Sequence, residues 1–132
     1  MAIFSVQDQF MLALTAWREN RSGGRPGMQS VMNVLMNRVA RRNSTAYEEC
    51  VRPWQFSSIT AKNDPQLTVW PARDDPAWQE ALLLAEQAGT PYGLIDLTDG
   101  ATSYYAASLS PVPTWAAVMT KTGEIAGQVF FR

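Results

Sequence analysis

Apolar positions along this chain recur at helical spacing in its first two-thirds and at strand spacing near its end. Phe10, Ala13, Leu14 and Trp17 share one face of a helix predicted over residues 6–18. Ser5-Val6-Gln7-Asp8 ahead of them has the form of a capping box, with Asp8 where Glu or Gln is usual. A loop with three glycines follows over residues 22–27. Met28, Val31, Met32, Leu35 and Val39 then mark a second helix from about Pro26 to Arg42, the most periodic element and the expected central buried helix. Thr45-Ala46-Tyr47-Glu48 opens a short helix reaching about Val51. Residues 52–74 hold Pro53, Pro65 and Pro71 without a clean period and read as a long irregular connection, which in a small domain usually carries function. Asp75-Pro76 starts a helix to about Gln87, with Gly89 expected in the left-handed conformation beyond it.

Beyond Gly89 the spacing changes. Residues 102–106 and 121–131 are β-rich, and Ala126-Gly127 reads as a hairpin tip between residues 123–125 and 128–131. Helices first and a small sheet later give an α+β fold, mainly helical with a small C-terminal antiparallel β-sheet, as one domain over residues 1–132. No stretch approaches the ~20 apolar residues of a membrane span, so no stable membrane insertion is expected. Residues 1–9 lack Lys and Arg, so synthesis in the cytoplasm without a signal peptide is expected.

Composition narrows the chemistry. With 46% hydrophobic and 17% charged residues the chain is of globular type. It has no histidine and one cysteine, Cys50, which excludes a Ser-His-Asp triad, histidine-ligated zinc and an internal disulfide. Neither metal nor cofactor is expected, and acid–base chemistry falls to carboxylates, Lys, Tyr or Cys50. Net charge is −1, yet six arginines of the first 42 residues face only Asp8 and Glu19. A solvated helix face accounts for that cluster, and with no DNA-binding motif, nucleic acid is not an expected partner.

Among the twelve carboxylates, Asp8, Glu48 and Asp75 have capping roles. Glu19 differs: it ends an apolar helix, lies near Trp17 and precedes a glycine-rich loop that lets a ligand approach the backbone. Partial desolvation there favours a proton-donating acid, whereas Arg18 and Arg21 favour the charged form. A catalytic acid and a surface ion-pair partner are both open readings of Glu19 on these grounds.

Arg18-Glu19-Asn20-Arg21 followed by GMQSVMNVLMNRV resembles the SleB-type cell wall hydrolase family, whose Gly-Glu-Ala-Arg-Gly-Glu precedes a helix ending Val-x-Asn-Val-Val-x-Asn-Arg-Val. Glu19, Asn33, Asn37 and Arg38 match it. Trp54-Gln55-Phe56-Ser57 resembles the family's Gly-Gln-Phe-Ser, and residues 96–102 its Asp-Pro-Thr-Gly-Gly-Ala-Thr. Trp115 fits a Pro-x-Trp, and residues 128–132 resemble a closing His-x-Phe-Tyr-Arg. Arg18 and Asn20 replace the small residues flanking the glutamate, Gly23 replaces its second glutamate, and Ser103 and Tyr105 stand where histidines are common.

The resemblance implies a lysozyme-like fold and cleavage of peptidoglycan glycan strands by a lytic transglycosylase, with Glu19 as general acid and base at the MurNAc–GlcNAc bond. Among the residues it matches, Gln55 and Ser57 read as substrate-binding or loop-stabilising, and Tyr104 as lining the substrate cleft or packing in the sheet. Asp96 and Asp99 are the acids that a two-carboxylate muramidase would need, with Asp96 read first as a turn residue. A non-catalytic peptidoglycan-binding module is the alternative from another class. Phe56 and Trp115 read as core, and sugar-stacking faces in the long loop are a minority reading of Trp54 and Trp70. Asn33 and Asn37, four apart on one helix face, are expected to satisfy loop backbone. The expected setting is a monomeric phage-type endolysin that reaches the wall in the periplasm after release.

Overall fold

Ser5 fixes the start of the first helix. Its hydroxyl accepts from the Asp8 N–H at 2.9 Å, and Asp8 Oδ2 accepts from the Ser5 N–H at 3.0 Å, a reciprocal capping box. The computed structural model describes residues 4–132. From this cap α1 runs over Val6–Asn20, so Glu19 lies inside its last turn rather than at or past its end. The expected glycine loop is a single 3₁₀ turn, Arg21–Gly23, that leads directly into α2, Gly24–Arg42. Close approach explains the shortness. A Cβ on Gly27 would sit 2.8 Å from Asn20 Nδ2 and 3.1 Å from Asn20 O, so the two helices meet where only glycine fits.

α3 spans Ala46–Val51, capped by Thr45, and α5 spans Pro76–Ala88, capped by Asp75. Between them the long connection contains the one-turn helix α4, Ser57–Thr60, and a 3₁₀ turn at Pro65–Thr68. Arg18 ties this segment down: its guanidinium donates to the carbonyls of Ser58, Leu67 and Val69 at 3.0–3.2 Å. Gly89 is right-handed, with φ −82°, and not left-handed as expected. Its missing side chain makes room for Phe4, whose ring would lie 2.8 Å from a Cβ there.

The core lies around α1 and α2 together. Residues 12–18 of α1 and 27–35 of α2 are buried without interruption, because each helix is covered on all sides. Met28, Val31, Met32 and Leu35 join Leu12, Ala13, Ala16 and Trp17 from α1 and Ala81, Leu84 and Ala85 from α5. Val34 faces Ala101 and Phe130 instead, while Val39 is only half-buried where α2 runs out of the core. One side of α2 is polar and holds the loop after α5. Asn33 Nδ2 and Gln29 Nε2 donate to Ile95 O, the Leu97 N–H donates to Asn33 Oδ1, and Asn37 Nδ2 donates to Ala101 O. The backbone role expected of Asn33 and Asn37 is borne out.

β1 (Ser103–Ala106), β2 (Lys121–Ile125) and β3 (Gln128–Phe131) form an antiparallel sheet in the order β1-β3-β2. Ala126 and Gly127, with φ 47° and 82°, make the two-residue turn of the β2–β3 hairpin. Tyr104 pairs with Phe130 in register. Trp115 is half-buried and meets Tyr105 and Phe131 edge-on at 6.0 and 5.4 Å. The α+β, mainly helical architecture is as expected. Among the described residues no helix is long and apolar enough to cross a membrane.

Candidate active site

Glu19 is half-buried on the last turn of α1, and its anchor is the next residue. Asn20 is buried, packs under Gly23 and Gly27, and donates from Nδ2 to Ala126 O at 3.2 Å, which ties the end of α1 to the hairpin turn. Two hydroxyls converge on the Glu19 carboxylate. Tyr104 Oη donates to Oε1 at 2.6 Å, and Ser58 Oγ donates to Oε2 at 2.5 Å. Ser58 is itself fixed, since its carbonyl accepts from Arg18 Nη1 at 3.0 Å. Among the described residues no Lys or Arg forms an ion pair with Glu19. Arg18 is turned to carbonyls, and Arg21 donates to Gln66 Oε1 at 2.8 Å while its guanidinium lies 4.1 Å from the Trp17 ring centroid.

The Tyr104 ring rests on Phe130, with centroids 5.5 Å apart. Burial first, then the adjacent Glu19 carboxylate, push the Tyr104 hydroxyl well above the ordinary tyrosine range, with Arg38 pulling the other way. Tyr104 is therefore a neutral donor to Glu19, and it also lines a groove of about 340 Å³ with Arg38, Trp54, Gln55, Ser103 and Trp115. Arg38 sits under this groove, donating from Nε to Thr102 O at 2.7 Å and lying 5.4 Å from the Phe56 ring centroid.

The structure thus brings Glu19, Tyr104 and Gln55 to one region. Gln55 is exposed in the groove wall, and its side chain has no hydrogen-bond partner among the described residues. Ser57 faces a second cleft, of about 390 Å³, on the other side of Trp54, and its hydroxyl donates to Asp64 Oδ2 at 2.5 Å. Its neighbour Ser58, which sequence reasoning missed, is the serine that reaches Glu19. The motif match ran through Ser57, and nothing local marked the next residue. Trp54 is 97% exposed and Trp70 is 62% exposed with the Arg18 guanidinium 4.6 Å from its ring centroid, whereas Phe56 is core.

The other acids are engaged elsewhere. Asp96 Oδ1 accepts from the Thr98 N–H and hydroxyl, and its Oδ2 accepts from Gly100 N–H and Asn37 Nδ2, which makes it the turn residue expected. Asp99 pairs with Arg132 at 3.1 Å on the surface. Glu49, also missed, is fully buried between Arg42 at 2.7 Å and Arg52 at 2.8 Å. Among the described residues no three His, Cys, Asp or Glu side chains are grouped to hold a metal ion.

The cell wall hydrolase family model matches residues 22–131. This chain belongs to the cell wall hydrolase family. The family match begins just beyond Glu19, so that residue rests on the geometry above. A solved structure described as the catalytic domain of the germination-specific lytic transglycosylase SleB from Bacillus anthracis superposes with a TM-score of 0.73, covering 98% of this chain and 97% of that one at 21% identity. At that identity the likeness shows the fold, and the lysozyme-like architecture expected from the sequence is borne out. No curated protein matches this sequence.

Proposed function

We propose that this cell wall enzyme is a peptidoglycan lytic transglycosylase that cleaves the MurNAc–GlcNAc bond with Glu19 as its single general acid and base. The observation that carries this reading is the hydrogen bonding of Glu19: both carboxylate oxygens are held by neutral hydroxyls, and no second carboxylate bonds the Tyr104 or Ser58 hydroxyl among the described residues. A retaining or inverting hydrolase would use two carboxyl groups about 5–9.5 Å apart. The acids that invited that role, Asp96 and Asp99, are engaged by a loop and by Arg132. The solved structure of similar fold is described as a lytic transglycosylase domain, which supports the same reaction.

In the first step Glu19, protonated, gives its proton to the glycosidic oxygen as the C1–O bond breaks. The Tyr104 and Ser58 hydroxyls then donate to the carboxylate left behind, and such charge-assisted bonds are about twice as strong as neutral ones. In the second step that carboxylate takes the proton of the muramoyl C6 hydroxyl, whose oxygen closes on C1. The product is a 1,6-anhydro end, no water is consumed, and Glu19 is protonated again. Gln55 and the Tyr104 ring, in the groove beside Glu19, bind the glycan in this reading. Ser57 contributes through its cleft beyond Trp54.

Mass spectrometry of fragments released from purified peptidoglycan tests the proposal. Anhydro-ended muropeptides are expected. Reducing-ended fragments, heavier by one water, would replace it with hydrolysis, and release of no soluble glycan would leave a binding module.

A further inference from the structure

Trp54 combines three properties that are hard to reconcile with a passive loop residue. It is 97% exposed, its backbone is left-handed at φ 68°, and it lies in the wall between two grooves. A single exposed hydrophobe is ordinary on its own. A bulky side chain at positive φ is not, because its Cβ crowds the following carbonyl, and glycine would take that conformation freely. The resembling family segment carries glycine at this position. The strain is held in place locally: the Gln55 N–H donates to Arg52 O at 3.3 Å and closes the turn containing Trp54, while Phe56 is anchored in the core.

We propose that Trp54 is a carbohydrate-stacking platform, forming with Gln55 and Tyr104 a sugar subsite beside Glu19. The inference rests on the glycan-cleaving reading above. Its occupant follows from continuity, since the groove that Trp54 walls is lined by Tyr104, whose hydroxyl bonds Glu19. A pyranose ring offers an apolar C–H face to an indole and a polar edge to hydrogen-bonding groups. The groove presents both, with Trp54 and Trp115 beside Gln55, Ser103 and Arg38. Arg38 Nε is held by Thr102 O and its Nη1 is buried without a partner among the described residues, so Gln55 and Ser103 supply that polar edge.

The test compares Trp54→Gly and Trp54→Tyr in a Glu19→Gln background, measuring binding to an N-acetylglucosamine hexasaccharide and to purified peptidoglycan. The expected result is affinity on the order of tenfold weaker for Trp54→Gly, the loss of one buried aromatic face, and within about threefold of the parent for Trp54→Tyr. The denaturation midpoint of Trp54→Gly is expected to stay level or rise, because strain is relieved. Undiminished binding by Trp54→Gly overturns the proposal, as does equal loss with Trp54→Tyr, a lowered midpoint that accounts for the loss, or no binding by the parent. Self-association that depends on Trp54, with saccharide binding unchanged, also overturns it. If Trp54-dependent binding is found but wild type releases no glycan fragments, the catalytic reading fails and the platform stands.

Discussion

The Tyr104 hydroxyl donates to Glu19 Oε1 across 2.6 Å, although 85 positions separate the two residues in sequence. Strand pairing makes the contact: β1 lies against β3, Tyr104 stands opposite Phe130, and the hairpin turn is tied to Asn20, the residue after Glu19. Tyr104 was expected to contact substrate, and the structure adds a direct bond to the candidate acid.

Removing that hydroxyl alone tests its value. A hydrogen bond to a charged group contributes about 1.5–3 kcal/mol, so Tyr104→Phe is expected to lower kcat by about 10–100-fold. The ring and its place in the groove are kept, so KM should change little. An unchanged kcat in steady-state assays on soluble glycan would show that Tyr104 does not act through Glu19.

Cys50 makes stability fall in alkali. It is fully buried on α3, and burial, with Asp8 and Glu49 adding to it, raises its thiol from 9.0 to about 12. A group with a raised folded pKa contributes stability that is complete below its unfolded value and lost as pH climbs through the folded one. Up to about 4 kcal/mol is therefore lost between the unfolded and folded values. Urea denaturation at about pH 8 and about pH 11 should show roughly two-thirds of this loss in wild type and a smaller one in Cys50→Ala. Equal losses in both would refute it.

Glu49 acts at the opposite end of the pH scale. Burial opposes its ionisation, but hydrogen bonds from Arg52 and Ser44 and the charge of Arg42 outweigh burial and hold its carboxyl below the ordinary value of 4.5. Its contribution is complete above that value and lost as pH falls through the depressed folded pKa. Glu49→Gln is expected to cost about 3 kcal/mol near pH 7, the low end for a broken buried pair, because Arg42 and Arg52 are partly exposed and rehydrate. The gap between variant and wild type should narrow near pH 3 in chemical denaturation. A gap that persists would assign the loss to packing.

What the sequence disclosed was local. Ser5, Thr45 and Asp75 announced three helices because a cap and its N–H groups lie within three residues, and Ala126-Gly127 announced the hairpin for the same reason. The Asn33 and Asn37 face was readable from helical spacing. What stayed hidden depends on distant chain. Ser58 reaches Glu19 only because Arg18 pins α4, and Gly89 serves Phe4 rather than a left-handed turn. Glu49 looked like any acid of a short helix until two arginines closed over it, and the φ of 68° at Trp54 was signalled only by the glycine of the resembling segment, not by the tryptophan itself.

The central claim is that Glu19 supplies and recovers the proton. Glu19→Gln keeps the shape, and its amide oxygen still accepts from one of the Tyr104 and Ser58 hydroxyls while its amide nitrogen donates to the other, but it has no acidic proton to give. Acid–base groups contribute about 10²–10⁴-fold, and a sole carboxyl belongs at or above the top of that range. The decisive measurement is the initial rate of glycan release from purified peptidoglycan by wild type, Glu19→Gln and Asp99→Asn, with each fold verified by circular dichroism. The account predicts a rate reduced by about 10⁴-fold or more for Glu19→Gln, with wall binding retained, and a near wild-type rate for Asp99→Asn. More than about a tenth of the wild-type rate in Glu19→Gln, or an equal collapse in Asp99→Asn, would contradict it.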